Sequence, residues 1–469
     1  MSDRPPLGRA PDLSAGSLSI HVVGIGGAGM SAIATVLAAM GHRVSGSDLK
    51  ESSFLDGLRA VGVDVHVGHD AANLGTADVV ATSTAIPASN PEVAAAVSRG
   101  IPVLRRAEIL AAIVATKRGI AVGGTHGKTT TSSMLALALV EASLHPSFIV
   151  GGELNEIGTG AVWDPAGDLL VVEADESDGT FIELPAEAVL VTNVEPDHIE
   201  HYGSYAALRD AFHQFVSQAR GPRVVCLDDP HAAVLREELG ALGYGTHERA
   251  DYRMLDVTPG RGGIGFTLGT PSGERFDVSL PVPGLHNARN AAGAMAMALE
   301  LGAAGPAVVR AFGRYGGVAR RFEMRGTAGG VTFVDEYSHL PTEVAAAIEA
   351  AREGEWARLV CVFQPHRFSR TATLWRDFED AFVGADVLAV TDVYSAGEAP
   401  RPRITGKLIV NAVLDAHPFQ RVAWLPHRAD LIAYLRAELR PGDLCLTMGA
   451  GDLTTLPDVL IDGLRERAS

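Results

Sequence analysis

Short, mostly apolar runs alternate with Ala-rich helical stretches along nearly the whole chain. The clearest runs lie at residues 19–23, 169–172, 188–191, 359–363 and 387–390. Continuous apolar strands of this length are typical of sheets that helices cover on both faces. Strands that alternate with helices in this way indicate parallel pairing. The pattern therefore predicts an α/β fold built on parallel sheets.

The same pattern restarts twice and divides the chain into three predicted blocks. Residues 17–115 open with a strand and a glycine-rich turn, and residues 116–315 open in the same way with a strand at 120–122. Within the second block, residues 251–280 alternate polar and apolar positions between glycine breaks, which predicts a small antiparallel insert. Residues 316–469 return to strand–helix alternation, so we expect one domain in each block.

The composition is that of an ordinary globular protein with material for several cores. Of 469 residues, 47% are apolar and 20% are charged, which excludes a disordered chain, a coiled coil and a small disulfide-stapled scaffold. The formal net charge of −17 disfavours nucleic acid and acidic membranes as partners. Three well-separated cysteines lie in strand-like runs and indicate packing residues in a reducing compartment: Cys226, Cys361 and Cys445.

Neither a targeting segment nor a membrane span is predicted. Residues 1–17 mix Pro, Gly, Ser, Asp and Arg without an apolar segment, and they indicate a loose tail rather than a signal peptide. The apolar stretch at 291–299 is shorter than the roughly 20 residues that cross a bilayer. We therefore expect a cytoplasmic protein.

The first glycine-rich turn follows the strand at 19–23. Positions 24–29 have the pattern GxGxxG before a helix, where glycines let the backbone approach a diphosphate and the helix N-terminus binds it. Asp48 follows the next predicted strand, residues 42–47, where a carboxylate can meet a ribose hydroxyl. The motif predicts a diphosphate site without identifying the nucleoside. A nicotinamide dinucleotide and a tight turn that binds nothing both remain open.

The second glycine-rich turn, at 123–127, is followed by Lys128 and Thr129 and leads into a predicted helix at 132–140. Backbone amides and the lysine would surround the terminal phosphates of a nucleotide, and the threonine hydroxyl would bind Mg²⁺. The strict phosphate-loop pattern needs glycine where Val122 stands, so this is a shortened variant. It predicts an ATP site.

Acidic segments follow two strands of the second block. Glu173 directly follows one apolar strand, and residues 193–198 follow the next and end in His198. The carboxyl ends of parallel strands meet at one edge of a sheet, so these groups can converge with the phosphate loop on Mg²⁺–ATP. The spacing does not match a zinc site. Glu176 is expected to be an ordinary solvated carboxylate.

These segments, together with several in the third block, resemble the Mur ligases. The resemblance runs in order over nearly the whole chain after residue 17 and rests on nine motifs: GIGGAGMS at 24–31, GTHGKT at 124–129, EADESD at 173–178, NVEPDH at 193–198, GLHNARN at 284–290, RRF at 320–322, YSHLPTE at 337–343, FQPHR at 363–367 and GAGD at 449–452. It implies a Rossmann-like UDP-sugar-binding domain, a central P-loop ATPase domain, and a Rossmann-like C-terminal domain that binds the amino acid.

The resemblance also implies a reaction, in which ATP phosphorylates the lactyl carboxylate of UDP-N-acetylmuramate and the amine of L-alanine attacks the acyl phosphate. A tetrahedral intermediate then collapses to an amide, in cytoplasmic peptidoglycan precursor synthesis. The implied cofactors are ATP and Mg²⁺. The implied partners are the two substrates, without nucleic acid or membrane, and the implied assembly is a monomer or weak homodimer.

Site roles follow from the resemblance motif by motif. UDP-sugar binding is expected of Gly24, Gly26, Gly27, Gly29, Met30, Ser31, Asp48, His69 and Ser83. ATP binding is expected of Gly124, Thr125, His126, Gly127, Lys128, Thr129, Thr130, His286, Asn287, Asn290, Arg320 and Glu336. Metal binding is expected of Thr129, Glu173 and His198, and amino-acid binding of Tyr337, His339, Arg367 and Arg370. The expected catalytic residues are Lys128, His198, Arg320 and His339.

Three departures from the family pattern refine this interpretation. Glu336 stands where an Asp is common, and Leu340 replaces a second histidine, so no role can rest on that histidine. The segment after His198 has no lysine, which excludes the carbamylated lysine that several sister ligases use. This absence agrees with the L-alanine-adding branch.

The sequence motifs also allow three other functions. A murein-tripeptide recycling ligase shares the same loops, but that branch typically carries a bulky aromatic residue where Ser177 stands. A dehydrogenase fused to a kinase leaves the C-terminal motifs unexplained. A non-catalytic nucleotide-sugar sensor would need a disabled ATP site, whereas Lys128, Thr129 and Glu173 are all present.

Overall fold

The computed structural model describes residues 11–83, 85–260 and 263–468, without the side chains of residues 200 and 466–468. Most of the predicted N-terminal tail and one glycine of the predicted insert, Gly262, lie outside the described residues. Three sheets organise the rest, and the α/β fold predicted from the sequence is confirmed.

The first sheet is parallel and doubly wound. Its strands are β1 (Ser19–Val23), β2 (Arg43–Asp48), β3 (Asp64–Val67), β4 (Val79–Thr82) and β5 (Val103–Arg105). Its helices are α1 (Ala28–Ala39), α2 (Ser53–Ala60), α3 (Pro91–Ser98) and α4 (Arg106–Val114), with a 3₁₀ turn at Ala71–Leu74. The strand order β3-β2-β1-β4-β5 reverses between β1 and β4. In such sheets ligands bind outside the carboxyl ends of the strands at that reversal, which is where the first glycine-rich turn lies.

The second sheet carries the other glycine-rich turn. Its strands are β6 (Arg118–Gly123), β7 (Ser147–Leu154), β8 (Thr159–Val162), β9 (Leu169–Glu173), β10 (Ala188–Val191), β11 (Arg223–Cys226), β12 (Leu242–Gly245), β13 (Tyr252–Gly260), β14 (Gly263–Gly269) and β15 (Arg275–Leu280). Its order is β15-β14-β13-β12-β11-β10-β6-β9-β7-β8. Strand β6 pairs in parallel with β10 and β9, so the segments after these three strands meet at one edge.

Helices connect these strands, and a small insert ends the sheet. The helices are α5 (Lys128–Glu141), α6 (Ile199–Tyr202), α7 (Tyr205–Ser217), α8 (Pro230–Leu239), α9 (Leu285–Glu300) and α10 (Gly305–Gly313), with a 3₁₀ turn at Thr180–Glu183. The short connection between β14 and β15 cannot hold a parallel crossover, so this pair is antiparallel, as predicted. The hydroxyl of Thr267 donates to Asp277 across the pair at 2.8 Å.

The third sheet belongs to the C-terminal part of the chain. Its strands are β16 (Glu323–Ala328), β17 (Val331–Glu336), β18 (Arg358–Phe363), β19 (Val387–Val390), β20 (Val422–Trp424) and β21 (Asp443–Met448), in the order β16-β17-β21-β18-β19-β20. Its helices are α11 (Pro341–Arg352), α12 (Phe368–Leu374), α13 (Lys407–Ala416), α14 (Arg428–Glu438) and α15 (Leu456–Ala468), with a 3₁₀ turn at Asp452–Thr455. All its pairings are parallel except β16 with β17.

The chain divides into two compact units. The first holds the described residues up to 256, with 266–278 and 289–315, and the second holds the described residues of 257–265, 279–288 and 316 onward. The first sheet and strands β6 to β12 of the second sheet belong to the first unit, and the third sheet belongs to the second unit. The predicted boundaries between three domains stay a prediction.

The continuous apolar runs form the cores of these sheets. Strands β1, β10 and β19 have the predicted bounds, and every residue of β10 and β19 is buried. The three cysteines are buried and free, as predicted for packing residues. Among the described residues, no helix combines the length and apolar character that crossing a bilayer requires.

Two predicted bounds were wrong in an informative way. Helix α5 begins at Lys128 rather than at 132, because Gly127 takes a left-handed conformation (φ +78°) and turns the polar KTTT segment into the first helical turn. Strand β2 runs one residue beyond the prediction and ends at Asp48.

Candidate active site

The first glycine-rich turn is held by the end of β2. The amides of Gly24 and Ile25 donate to the carbonyl of Ser47 at 2.8 and 3.0 Å. The amide of Gly26 donates to Asp48 Oδ2 at 2.9 Å, and a Cβ at Gly26 would lie 2.9 Å from the same oxygen. Asp48, which the sequence places near a ribose, therefore holds the turn itself. A side chain at position 26 would have to displace the Asp48 carboxylate that holds the turn.

The N-terminus of α1 completes this turn. Gly27 is the residue before the helix, and the hydroxyl of Ser31 donates to the carbonyl of Ala28 at 2.9 Å. Met30 is buried in the core. The backbone, more than these two side chains, is the part that can bind an anion. Ser83 lies just after β4, and its Oγ accepts the amide of Ala85 at 3.2 Å.

An arginine that the sequence analysis missed lies beside this turn. A Cβ at Gly29 would be 3.5 Å from Nη1 of Arg106, the first residue of α4. The Nη2 atom of Arg106 donates to Oδ2 of Asp175 at 3.0 Å, and Asp175 lies two residues after β9. Arg106 thus lies between the first glycine-rich turn and the acidic segment of the second sheet.

The phosphate loop after β6 needs glycine at two positions. Gly124 has φ +137°, and a Cβ there would lie 2.0 Å from Thr192 Oγ1. Gly127 has φ +78°, and a Cβ there would lie 2.5 Å from Oδ1 of Asn290. Asn290, predicted as an adenine contact, is therefore brought to the phosphate loop.

The segment after β10 fixes the shape of the loop. Asn193 Oδ1 accepts the amide of His126 at 2.8 Å, and Asn193 Nδ2 donates to the His126 carbonyl at 3.1 Å. The hydroxyl of Thr125 accepts the amide of Glu195 at 2.9 Å. These bonds fix the backbone of the loop in one conformation.

Lys128 is buried beside a carboxylate. Its Nζ lies 2.8 Å from Glu176 Oε2 and donates to the carbonyl of Gly124 at 2.6 Å. Burial opposes the charge of Lys128, but the carboxylates of Glu176, Asp175 and Glu173 outweigh it and raise the pKa of the ammonium. Burial raises the pKa of Glu176 to about 7, against the attraction of Lys128. The expectation that Glu176 is a solvated carboxylate was wrong, since only 2% of its side chain is exposed.

Asp175 acts on the same lysine through its charge. Burial tends to raise its pKa, but Lys128 and Arg106 outweigh this effect and lower the pKa of Asp175 to about 2. Tyr202 donates its hydroxyl to the Glu176 carbonyl at 2.6 Å and fixes the backbone of the acidic segment. Asp175 is therefore the ionised carboxylate of this segment, and it adds negative charge near the phosphate-loop lysine.

Oxygen donors of the predicted metal site lie next to the loop. The hydroxyl of Thr129 donates to Glu173 Oε2 at 2.9 Å, and the same oxygen accepts the amide of Gly151 at 2.8 Å. His198 has a left-handed backbone (φ +53°), and its Nε2 lies 3.2 Å from Asp197 Oδ2. The described residues contain no cluster of three His, Cys, Asp or Glu side chains suited to a metal. Thr129 and Glu173 are brought together, and the metal-binding role of His198 stays a prediction.

Helix α9 carries the predicted adenine segment. Asn287 donates from Nδ2 to the carbonyl of Pro283 at 2.7 Å and so ties the start of the helix to the preceding loop. His286 lies in the first turn, where its ring would be 2.6 Å from a Cβ at Gly284. The binding of adenine by His286 and Asn287 stays a prediction. Thr130 is buried in the first turn of α5.

In the second unit, Arg320 is held at the ends of β17 and β21. Its Nη2 donates to the carbonyls of Gly449 and Gly451 at 2.7 and 3.2 Å, and its guanidinium stacks over the Tyr337 ring at 4.8 Å. Arg320 has φ +63°, so its backbone is also constrained. These contacts hold the guanidinium in one position within the second unit.

Glu336 accepts hydrogen bonds from backbone amides of the second unit. It accepts the amides of Phe322 at 2.7 Å and Ser338 at 3.2 Å. Burial raises its pKa, against the attraction of Arg321. These bonds support the RRF segment and the turn after β17, so the structure gives Glu336 a local role beside its predicted contact with the nucleotide.

The predicted amino-acid residues form a ring cluster in the second unit. The imidazole of His339 lies 5.5 Å from the Tyr337 ring and 5.6 Å from that of His366. His366, which the sequence analysis missed, stacks on Tyr394 and has its Nδ1 3.0 Å from Nη1 of Arg370. Burial, with nearby His339 and the arginines, lowers the pKa of His366 to about 3, so this ring is neutral.

Arg367 completes this cluster. It has φ +69°, and its amide donates to the carbonyl of Tyr394 at 2.8 Å. Its Nε is buried without a hydrogen-bond acceptor among the described residues. A buried guanidinium N–H that has no acceptor in the protein suits a carboxylate partner.

Comparison with known proteins identifies the family of this chain. Residues 19–118 match the description "Mur ligase family, catalytic domain", residues 122–298 match "Mur ligase middle domain", and residues 320–451 match "Mur ligase, glutamate ligase domain". The chain belongs to the Mur ligase family, as its motifs predicted.

Three individual relatives are similar to this chain over more than 90% of its length. The chain is 46% identical to UDP-N-acetylmuramate–L-alanine ligase of Kineococcus radiotolerans, over 98% of this chain and 99% of that one. It is 45% identical to the ligase of the same name from a Bradyrhizobium species, over 93% of this chain and 95% of that one. Its fold is similar to the crystal structure of UDP-N-acetylmuramate-alanine ligase MurC from Thermotoga maritima, with a TM-score of 0.80, 27% identity and coverage of 96% and 100%.

Proposed function

We propose that this enzyme joins L-alanine to the lactyl carboxylate of UDP-N-acetylmuramate at the expense of ATP, in peptidoglycan precursor synthesis. The observation that carries the proposal is the 46% identity to the UDP-N-acetylmuramate–L-alanine ligase of Kineococcus radiotolerans over nearly the full length of both chains. The phosphate loop, with Lys128 buried beside Glu176, supports an intact ATP site. The sensor alternative would need that site to be disabled.

The first chemical step transfers a phosphoryl group. An oxygen of the lactyl carboxylate attacks the γ-phosphorus of ATP, the bond to the β,γ-bridging oxygen breaks, and ADP leaves. Lys128 and the amides at the start of α5 hold the negative oxygens of the phosphates. Arg320 is proposed to reach the γ-phosphate, and its prior bonds to Gly449 and Gly451 make it a fixed donor.

The hydroxyl of Thr129 and the carboxylate of Glu173 fit Mg²⁺, because both are hard oxygen donors and lie 2.9 Å apart beside the phosphate loop. Bound there, Mg²⁺ would neutralise charge on the transferring phosphoryl group. His198 is proposed as a further ligand or as the residue that orients one.

The second step forms the amide. The free amine of L-alanine attacks the acyl carbon, and the tetrahedral intermediate expels inorganic phosphate. We assign Arg367 and Arg370 to the alanine carboxylate and Tyr337 and His339 to the surroundings of the new bond. The buried Nε of Arg367 supports this assignment. His366 is neutral, so it does not add to the positive charge that the arginines supply.

The UDP-sugar is assigned to the first glycine-rich turn. Its diphosphate would lie on the amides at the start of α1, with His69 and Ser83 nearby. ATP and UDP-sugars are cytoplasmic metabolites, so the proposal implies that compartment. A monomer or weak homodimer is expected, and light scattering on the purified protein would measure it.

A direct test compares two amine substrates. Purified enzyme with ATP, Mg²⁺ and UDP-N-acetylmuramate should release ADP when L-alanine is added and should not do so without it. The muramyl acid should be consumed in equal amount. Turnover only with the murein tripeptide in place of L-alanine would assign the chain to peptide recycling instead.

A further inference from the structure

A buried carboxylate, Glu92, lies behind the first glycine-rich turn. It is the second residue of α3, and its side chain is completely inaccessible to solvent. Burying a carboxylate without partners is costly, and here several polar groups surround it. Its hydrogen-bond partners are the side chains of Ser47, His69 and Asn73 and the amide of Asp70, at 2.5, 3.1, 2.6 and 3.3 Å, and His21 Nε2 lies 3.8 Å away.

The cluster is joined to the turn through Ser47. The Ser47 carbonyl accepts the amides of Gly24 and Ile25, while its hydroxyl donates to Glu92 Oε2. His69 follows β3, and the residue before it donates its amide to the carbonyl of Asp48 at 2.7 Å. The imidazole therefore lies at the same sheet edge as the turn, with 10% of its side chain exposed.

Counting protons fixes the tautomer of His69. The single hydroxyl proton of Ser47 is used on Glu92 Oε2, so Ser47 Oγ can only accept from His69 Nδ1, 2.9 Å away. His69 Nδ1 also lies 3.1 Å from Glu92 Oε2, which is another acceptor. Burial tends to raise the pKa of Glu92, but the nearby His21 imidazole and the hydrogen bonds from Ser47 and Asn73 outweigh it and lower the pKa to about 2. Between two acceptors, Nδ1 must carry the proton.

We propose that Glu92 is a positioning residue that holds His69 as the Nδ1–H tautomer, so that Nε2 presents a lone pair to the sugar nucleotide. The inference rests on the proposed function, which puts UDP-N-acetylmuramate at this turn. The group that Nε2 binds must then be a hydrogen-bond donor. The sugar nucleotide offers three kinds: the imide N–H of uracil, ribose or sugar hydroxyls, and the acetamido N–H.

The tautomer can be measured on the unmodified protein. Two-bond ¹H–¹⁵N NMR correlations of histidine-labelled enzyme distinguish a protonated from an unprotonated ring nitrogen, and the His69→Gln variant identifies the signal. At about pH 8, where an ordinary histidine is neutral, we expect protonated Nδ1 and unprotonated Nε2. A signal with protonated Nε2, alone or together with Nδ1, would overturn the proposal.

A kinetic experiment uses the Glu92→Gln variant, whose side chain has nearly the same shape as glutamate but carries no charge. Its amide can donate to Nδ1 and so favour the other tautomer, and we expect the KM for UDP-N-acetylmuramate to rise about tenfold or more. The kcat should stay within about twofold, because the reacting groups are untouched. An unchanged KM with a folded variant would contradict the inference, and if the variant does not fold, the unmodified protein's NMR signal decides.

A matched control is present on the same strand. Asp64 is an exposed carboxylate of β3, 3.6 Å from Nε2 of His66, so Asp64→Asn makes the same chemical change beside another histidine. It should leave the KM and the His69 signal unchanged. Failure of the unmodified enzyme to release ADP with L-alanine would contradict the proposed function instead, and it would not affect the measured tautomer.

Discussion

The guanidinium of Arg106 lies 3.0 Å from the carboxylate of Asp175. Arg106 begins α4 beside Gly29 of the first glycine-rich turn, and Asp175 lies in the acidic segment that surrounds Lys128. One ion pair thus joins the surroundings of the two predicted nucleotide sites. A bound diphosphate at the first turn would compete with Asp175 for the arginine, so the two sites are expected to influence each other.

Arg106→Ala should lower kcat/KM for UDP-N-acetylmuramate by about tenfold or more, since a charge-assisted contact of this kind contributes roughly 1.5–3 kcal/mol. The free energy of unfolding should change by less than about 1 kcal/mol, because the pair is partly exposed. Initial rates at varied sugar nucleotide and ATP test this prediction. Arg59→Ala, which breaks an exposed pair on α2, is the control. Equal kinetics in the two variants would show that Arg106 serves neither site.

Lys128→Ala should reduce ADP release by at least about 10²–10³-fold, the scale for losing one charge-stabilising donor. It should also destabilise the fold by roughly 3 kcal/mol, because Glu176 stays buried without its cation. Combining Lys128→Met with Glu176→Gln should restore most of the stability and none of the activity. Denaturant titration and ADP release measure the two effects, and near-normal turnover of either variant would contradict the ATP site.

Glu173→Gln should increase the Mg²⁺ concentration needed for half-maximal rate by about tenfold or more, since a ligating carboxylate loses its charge. His198→Ala should shift the same titration in the same direction. The measurement is ADP release against Mg²⁺ at saturating ATP. An unchanged titration for His198→Ala would leave that residue with a structural role only.

Acid should remove the contribution of Glu92 to stability. Its pKa is lowered from 4.5 to about 2 in the folded protein, so its stabilisation is present above about pH 4.5 and is lost as the pH falls towards 2. Glu92→Gln should therefore be less stable than the unmodified protein near neutral pH. The gap should narrow by about 1 kcal/mol between about pH 7 and about pH 3.5. Urea titrations at both values measure it, and a gap that widens on acidification would refute the assigned charge.

Much of the fold could be predicted because its strands are continuous apolar runs. Strands β1, β10 and β19 were placed with the correct bounds, since a short, mostly apolar run between turn residues has few alternatives in an α/β chain. The start of α5 was missed because the polar residues at 128–131 look like loop. They are helical because Gly127 turns the chain, which local composition does not show.

The sequence drew attention to residues that lie in local motifs. It did not reveal residues whose contacts are with partners distant in sequence. Lys128 lies in the glycine-rich motif after β6 and Glu173 ends β9, so local sequence was enough to propose both as site residues. Glu176 was misjudged because its partner, Lys128, is 48 residues away. Glu92 lies in the first turn of α3, where an acidic residue is favourable anyway, so nothing in the sequence marks it as buried. Arg106 likewise has no motif of its own and is recognised only by what it contacts.

The central claim is that phosphoryl transfer to the lactyl carboxylate precedes amide formation in this chain. The most direct measurement supplies UDP-N-acetylmuramate with ¹⁸O in that carboxylate, together with ATP, Mg²⁺ and L-alanine, and analyses the products by mass spectrometry. The account predicts UDP-N-acetylmuramoyl-L-alanine and ADP in equal amounts, with one ¹⁸O atom transferred to each inorganic phosphate. Phosphate without the label, or ADP released without the amide, would contradict it.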